Sequence, residues 1–169
     1  MKKEHTYEAT VTWTGNLGEG TLNYTSFERG HTISVANKPE ILGSSDPAFR
    51  GDLTKYNPEE LLIASLASCH MLWYLHLCSE ANIVVTDYKD TVTGILKTNA
   101  NGSGYFSSVT LNPEVTITAV SMKEKALELH NKANEMCFIA NSVNFKVRHN
   151  PTCISVSYTH LTLPTTSRV

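Results

Sequence analysis

The sequence predicts a single domain that combines β-strands with two helices. Three observations support this: a long uncharged helical run at 57–80, an amphipathic helical pattern at 121–136, and strand-like stretches on both sides of the first helix. The chain has 169 residues, 41% of them hydrophobic, which is enough for one buried core. We expect residues 1–153 to form this domain.

The N-terminal third is typical of β-structure. Residues 6–14 and 21–35 are rich in Thr, Val, Tyr and Ile and partly alternate apolar with polar residues, which predicts two strands joined across 15–20. Residues 36–56 contain several Pro, Gly and Ser residues and predict a long connection. A connection of this length in a compact domain is often functional.

Residues 57–80 predict a long helix. Asn57 can cap it, Pro58 suits its first position, and Glu59 and Glu60 oppose the positive end of the helix dipole. The rest of the helix, up to its last residue, contains no Asp, Glu, Lys or Arg. A helix that is apolar on nearly every side is usually buried, so we expect a second copy of the chain to complete its burial.

The same length raises a membrane-spanning alternative, because about 20 apolar residues can cross a bilayer. The run is interrupted by polar residues, and no Lys or Arg bias orients it. The N-terminal residues lack an apolar signal segment. We therefore expect a cytoplasmic protein without membrane contact.

The C-terminal half predicts a hairpin and a closing strand. Residues 82–97 and 105–118 are strand-like, and the turn NANGSG at 99–104 joins them. Residues 143–149 predict a strand near the end of the domain.

The second helix is predicted between the hairpin and the closing strand. Ser121 and Glu124 have the spacing of a capping box at its start. Cys137 is expected where the helix ends. The apolar positions recur at helical spacing and predict one buried face; they are Met122, Ala126, Leu129, Ala133 and Met136.

Residues 154–169 differ from the rest of the chain. They are rich in Ser and Thr and show no pattern of a core-facing element. We expect a disordered or non-native tail without a functional role.

The overall charge excludes some partners. A net charge of −2 gives no electrostatic reason to expect nucleic acid or an anionic membrane surface as a partner. Four cysteines without a dense framework favour a reducing compartment and a catalytic or buried role.

Cys69 is the cysteine with the strongest claim to chemistry, although a buried small hydrophobe is the commoner fate of a free cysteine. In the middle of a helix it gains nothing from the dipole, so a nearby cation must hold it as a thiolate. The only arginines before the helix are Arg29 and Arg50, and Arg50 lies in the loop that leads into the helix. Cys78 falls on the opposite side of the helix from Cys69 and is expected to be structural. We expect Cys153 to be peripheral.

A metal site that uses Cys69, His70 and His76 is an alternative, because Cys69 and His76 share a face of the helix two turns apart. Zinc usually needs three or four ligands at tight spacing, and all of these candidates come from a single element. The chain contains no C-x-x-C or H-E-x-x-H motif.

The run NPEELLIASLASCH, the later run NKANEMCFIANSVNFKV and the arginine-containing loop before the first run together resemble the OsmC/Ohr family. The resemblance covers about residues 6–150. It implies an α+β fold in which antiparallel sheets wrap around long central helices in an intertwined homodimer. It also implies a cytoplasmic thiol peroxidase that reduces organic hydroperoxides, with hydrogen peroxide a poorer substrate.

The resemblance assigns roles by position. It implies that Cys69 attacks the peroxide, that Cys137 resolves the sulfenic acid as a disulfide, and that Arg50 activates Cys69. It further implies that Glu59, or Glu60 in its place, orients this arginine. The electrons would come from an external dithiol or lipoyl-type reductant, without metal, haem or flavin.

Two departures from the family pattern follow the cysteines directly. His70 stands where an aromatic residue such as Phe is common, and Phe138 stands where Pro is frequent. His70 could tune the thiol or simply pack in the core. The main alternative function is an OsmC-like module that binds a small molecule without turnover, and the lesser one is the Cys/His metal site.

Overall fold

The computed structural model describes residues 3–156, which form two compact units divided between Leu62 and Ile63. The N-terminal unit contains a three-stranded antiparallel sheet in the order β1-β2-β3. A short 3-10 helix, Pro47–Phe49, follows it. The strands are β1 (Thr10–Trp13), β2 (His31–Ser34) and β3 (Ile41–Gly43).

The predicted strands of this unit are longer than the observed ones. The segment between β1 and β2 folds into turns because asparagine side chains bind its backbone: Asn16 accepts from Gly18 and Gly20, and Asn23 accepts from Thr25. Such local hydrogen bonds compete with a strand ladder. The connection expected at 36–56 contains β3, which pairs with β2.

Helix α1 (Pro58–Glu80) confirms the predicted helix. Asn57 and Glu60 form a reciprocal capping box, since each side chain accepts from the backbone N–H of the other at 3.1 and 2.8 Å. The helix ends in a Schellman motif at Asn82, whose φ is 57°. There Ile83 N–H donates to the carbonyl of Cys78, and Asn82 N–H donates to that of Ser79.

The C-terminal unit contains two three-stranded sheets, ordered β4-β7-β9 and β5-β6-β8. In each sheet the first pair is antiparallel and the second pair is parallel. The predicted hairpin is confirmed by the pairing of β5 with β6. The strands are β4 (Val85–Asp90), β5 (Thr93–Thr98), β6 (Gly104–Leu111), β7 (Pro113–Ile117), β8 (Lys146–His149) and β9 (Thr152–Ser155).

Each strand predicted in the hairpin is divided in two. The first is divided into β4 and β5, with a break at 91–92, and the second into β6 and β7, with a break at Asn112, just before Pro113. Proline cannot donate to a ladder, and here it stands at the first position of β7. A further break at Asn150 and Pro151 separates β8 from β9. The side chain of Asp90 accepts from Asn112 N–H at 2.7 Å and fills the gap on the neighbouring strand.

Helix α2 (Lys123–Met136) lies between β7 and β8 in the chain. The capping box predicted for Ser121 and Glu124 does not form, because a 3-10 turn at Val120–Met122 precedes the helix and its N-cap position, Met122, makes no side-chain cap. Cys137 ends the helix as predicted.

The core of the C-terminal unit includes Cys153, which was wrongly expected to be peripheral. It is 5% exposed because β9 pairs with β7 and carries it into the core. The first two residues of the expected tail, Ile154 and Ser155, belong to β9. Residues 157–169 lie outside the described part of the chain.

Helix α1 buries only one stripe of side chains, formed by Leu66, His70, Tyr74 and Cys78. The opposite stripe is exposed and includes Leu72, which is 63% accessible. By length and composition alone α1 could cross a membrane, but the core helix of a globular protein meets the same criterion.

Candidate functional site

Cys69 and Cys137 are brought together, as the resemblance implied. Cys69 lies near the middle of α1, and Cys137 caps the end of α2. Their side chains lie near enough for the Cys69 thiol to favour the protonated form of Cys137. All four cysteines of the chain lie among the described residues; Cys69 is half-buried and the other three are buried. Cys69 is therefore the thiol most open to a solute.

The environment of Cys137 keeps it protonated. Burial is the main cause, and the neighbouring Cys69 thiol adds to it; together they raise the pKa of Cys137 to about 11. Backbone N–H groups act in the opposite direction; that of Ala140 donates to the Cys137 Sγ at 3.4 Å. At neutral pH this thiol is a proton donor beside Cys69.

Two aromatic side chains lie next to the cysteines. Trp73, one turn after Cys69, meets Phe138 edge to face with ring centroids 5.7 Å apart. Phe138 is 66% exposed, although it directly follows the buried Cys137. Leu72, Trp73 and His76 line a shallow depression of about 300 Å³. The thiol pair is thus bordered by apolar surface.

Arg50 belongs to the N-terminal unit. It follows the short 3-10 helix with φ 63°, it is exposed, and its guanidinium lies 5.9 Å from the Tyr24 ring centre. Arg50 makes no ion pair with any of the described residues.

Glu59 lines a pocket of about 310 Å³ within the N-terminal unit. Arg29 lines the same pocket, whereas Arg50 does not. The Arg29 guanidinium donates to the carbonyls of Phe27 and Tyr24 and stacks on both rings at 4.2 and 4.4 Å. The other residues of this pocket are Trp13, Phe27, Glu28, His31, Ser44, Ser45, Asp46, Phe49 and Pro58. Glu60 is engaged in the helix cap, so of these two glutamates only Glu59 lines a pocket with an arginine.

His70 packs in the core. It is fully buried and bonds to His130 of α2, which the sequence analysis did not single out. The available signal was the position of His130 on the apolar face of α2, next to Leu129.

The residues of the metal alternative are not clustered. His76 is exposed on α1 and lies 3.5 Å from Glu80, on a different side of the helix from the buried His70. In the part of the chain that the structure covers, no group of three or more His, Cys, Asp or Glu side chains is placed to hold a metal ion.

Comparison with known proteins identifies the fold. A family model described as OsmC-like protein matches residues 50–151. An OsmC-like protein of unknown function from Vibrio cholerae has 30% sequence identity and a TM-score of 0.79, over 88% of this chain and 100% of that one. No curated protein matches the chain significantly.

More distant structures share the fold. An organic hydroperoxide resistance protein from Elizabethkingia anophelis has 20% identity and a TM-score of 0.64, over 92% of this chain and 100% of that one. One from Legionella pneumophila has 18% identity and a TM-score of 0.62, over the same shares. The α+β architecture and the resemblance predicted from the sequence are both confirmed. The chain belongs to the OsmC-like protein family.

Proposed function

We propose that this protein is a cysteine-based peroxidase that reduces organic hydroperoxides, and hydrogen peroxide less efficiently. The observation that carries the proposal is the contact between Cys69, which is half-buried, and Cys137, which is buried and protonated. The fold shared with organic hydroperoxide resistance proteins supports the same chemistry here.

In the first step the Cys69 thiolate attacks the distal oxygen of the hydroperoxide. The S–O bond forms as the O–O bond breaks, the alkoxide leaves and takes up a proton to give the alcohol, and Cys69 becomes a sulfenic acid. The sulfur loses two electrons to the peroxide.

In the second step Cys137 attacks the Cys69 sulfur. The S–S bond forms, and the sulfenic hydroxyl leaves as water with the proton of the Cys137 thiol. The high pKa of Cys137 keeps that proton in place until the step occurs. A disulfide then protects Cys69 from further oxidation.

An external dithiol, free or of the lipoyl type, restores the two thiols by exchange. The proposed cycle uses no resident cofactor. All four cysteines are free, which fits a reducing compartment such as the cytoplasm.

A cation is needed to keep Cys69 ionised at neutral pH. We assign this role to Arg50, with Glu59 to orient it. Arg29 is the second choice, and its place in one pocket with Glu59 supports it. Mutation of each arginine separates the two assignments.

The substrate preference is assigned to the apolar border of the thiol pair. The edge-to-face pair of Trp73 and Phe138 offers ring surface to an alkyl or aryl group, and hydrogen peroxide has no such group. Burial of that group adds binding energy for organic hydroperoxides only.

The exposed stripe of α1 supports a homodimer. Leu72 is 63% accessible on a helix that has no charged residue between Glu60 and Glu80. A second copy of the chain would cover this apolar surface. Sedimentation of the protein as a monomer at micromolar concentration would contradict the assignment.

The decisive experiment mixes the reduced protein with one equivalent of cumene hydroperoxide in a stopped-flow instrument. We expect the loss of two thiols per chain and the formation of one Cys69–Cys137 disulfide. Cys78→Ala serves as the control, because it removes a core thiol and leaves both proposed reactive cysteines. An unchanged thiol titre in the wild type would contradict the peroxidase and favour a binding module without turnover.

A further inference from the structure

Two buried imidazoles meet between the helices that carry the reactive cysteines. His70 Nε2 of α1 lies 2.9 Å from His130 Nδ1 of α2. The two ring planes differ by 8°, and the centroids are 5.2 Å apart. The distance between the ring centroids exceeds the distance between the two nitrogens by about two ring radii. Both nitrogens therefore lie on the line that joins the centroids, and they point at each other in the ring plane. This is an in-line N–H···N hydrogen bond.

Among the described residues, this is the only hydrogen bond that either ring makes. Both side chains are fully buried, and neither His70 Nδ1 nor His130 Nε2 has a hydrogen-bond partner among the described residues. Tyr74 stacks face to face on His130 with centroids 3.9 Å apart. The stacking holds the His130 ring plane, and the shared proton then fixes the direction of His70.

The imidazole pair and the thiol pair both join α1 to α2 or its C-terminal end. His70 directly follows Cys69 on α1. His130 precedes Cys137 by seven residues, or about two helical turns, so both lie near the same side of α2. A change in the distance or rotation between the helices at the histidines therefore reaches the sulfurs.

We propose that His70 and His130 are positioning residues, whose mutual hydrogen bond holds α1 and α2 in the register that lets the sulfurs of Cys69 and Cys137 form a disulfide. The inference deepens the proposed function and rests on it for the meaning of that disulfide. The contact geometry itself can be tested without any peroxide.

The hydrogen-bonded pair of His70 and His130, called the clamp from here on, depends on neutral imidazoles. The titratable groups around it are His149 at the end of β8, Tyr74 and Cys78 on α1, Tyr88 on β4 and Cys153 on β9. Asp90 of β4 acts on Tyr88. None of these groups supplies a negative charge to the pair. A proton added to one of the two imidazoles places an uncompensated positive charge in the core. A proton added to the other as well makes both facing nitrogens N–H donors, so the hydrogen bond is lost.

The test measures how fast the reduced protein closes the Cys69–Cys137 disulfide with diamide. Diamide takes two electrons and two protons from the two thiols, the S–S bond forms, and diamide becomes the hydrazine. The products are alkylated and quantified by mass spectrometry. We expect His130→Leu and His70→Leu to slow closure at least about tenfold, because each removes the hydrogen bond.

Conservative variants and a matched control separate positioning from stability. His130→Asn keeps a polar atom near the Nδ1 position and His70→Gln keeps one near Nε2, so both should restore closure to within about threefold of wild type. If a Leu variant fails to fold, its rate is replaced by that of the corresponding Ala variant at a temperature where it is folded. Leu129→Ala removes a neighbouring core side chain on α2 and should leave the closure rate unchanged.

Two outcomes would overturn the inference. One is closure at the wild-type rate in folded variants that lack the hydrogen bond. The other is an equal slowing in Leu129→Ala, which would make the effect one of general stability. A wild-type protein that reacts with diamide but consumes no cumene hydroperoxide would contradict the proposed function alone and leave the clamp result intact.

Discussion

The thiol of Cys69 acts directly on that of Cys137 and favours its protonated form, although 67 residues separate the two cysteines in the chain. One thiol is half-buried on the central helix, and the other is buried at the end of the second helix. This asymmetry fits a two-thiol cycle, in which the accessible Cys69 reacts with the oxidant and the protonated Cys137 then resolves the product.

Replacing the attacking thiol should abolish the activity. We expect Cys69→Ser to lower the rate of cumene hydroperoxide consumption by at least about a thousandfold, because a serine hydroxyl is not ionised at neutral pH. Peroxide loss is followed in a coupled assay with a dithiol reductant. Residual consumption close to that of Cys78→Ala would move the nucleophile to another residue.

Replacing the resolving thiol should stop the cycle after one event. We expect Cys137→Ser to consume about one equivalent of peroxide and to accumulate the Cys69 sulfenic acid, which dimedone traps and intact-mass analysis detects. Multiple turnovers should fall to background. Detection of a disulfide between Cys69 and another cysteine would show that the resolving role was misassigned.

The activating cation can be located by a pair of substitutions. We expect Arg50→Ala to lower kcat/KM for cumene hydroperoxide by at least about tenfold, because a nearby positive charge favours the thiolate. Arg29→Ala is measured in parallel, and Glu59→Gln should reproduce part of the effect. A loss in the Arg29 variant with none in the Arg50 variant would transfer the role to Arg29.

The aromatic border should affect organic substrates selectively. We expect Phe138→Ala to lower kcat/KM for cumene hydroperoxide by about tenfold and to leave that for hydrogen peroxide within about twofold. Trp73→Ala should act in the same direction. An equal loss for both peroxides would indicate a structural effect and contradict a role in substrate preference.

The buried histidines should make the fold sensitive to acid. Burial lowers the pKa of His70 to about 4 and, together with His70 and His149, lowers that of His130 to about 3. Unfolded histidines take up protons near pH 6.5, so the unfolded state binds more protons below this pH. The stabilisation is therefore complete above about pH 6.5 and is lost as the pH falls towards 4 and then 3.

The measurement is urea denaturation between pH 7.5 and 4.5. Each histidine can lower the folding equilibrium constant by at most about tenfold per pH unit in this window. His130→Leu should show a shallower loss of the free energy of unfolding with acid than the wild type. A parallel pH dependence in both proteins would show that other groups, such as carboxylates, dominate.

Local sequence patterns predicted the elements that depend on local chemistry. The capping residues Asn57 and Glu60 and the uncharged run after them predicted α1 almost to its last residue. The strands were less predictable, because short-range asparagine turns and Pro113 interrupt patterns that otherwise predict continuous strands.

The sequence by itself determined the helices and the family, and through the family resemblance it named Cys69 and Cys137 as the reactive pair. The tertiary structure decided that these two thiols lie together, that Cys153 is buried, and that His70 bonds to His130. These are contacts between residues far apart in the chain. They depend on how α1, α2 and the strands pack, and no local spacing encodes the distance between two side chains on different elements.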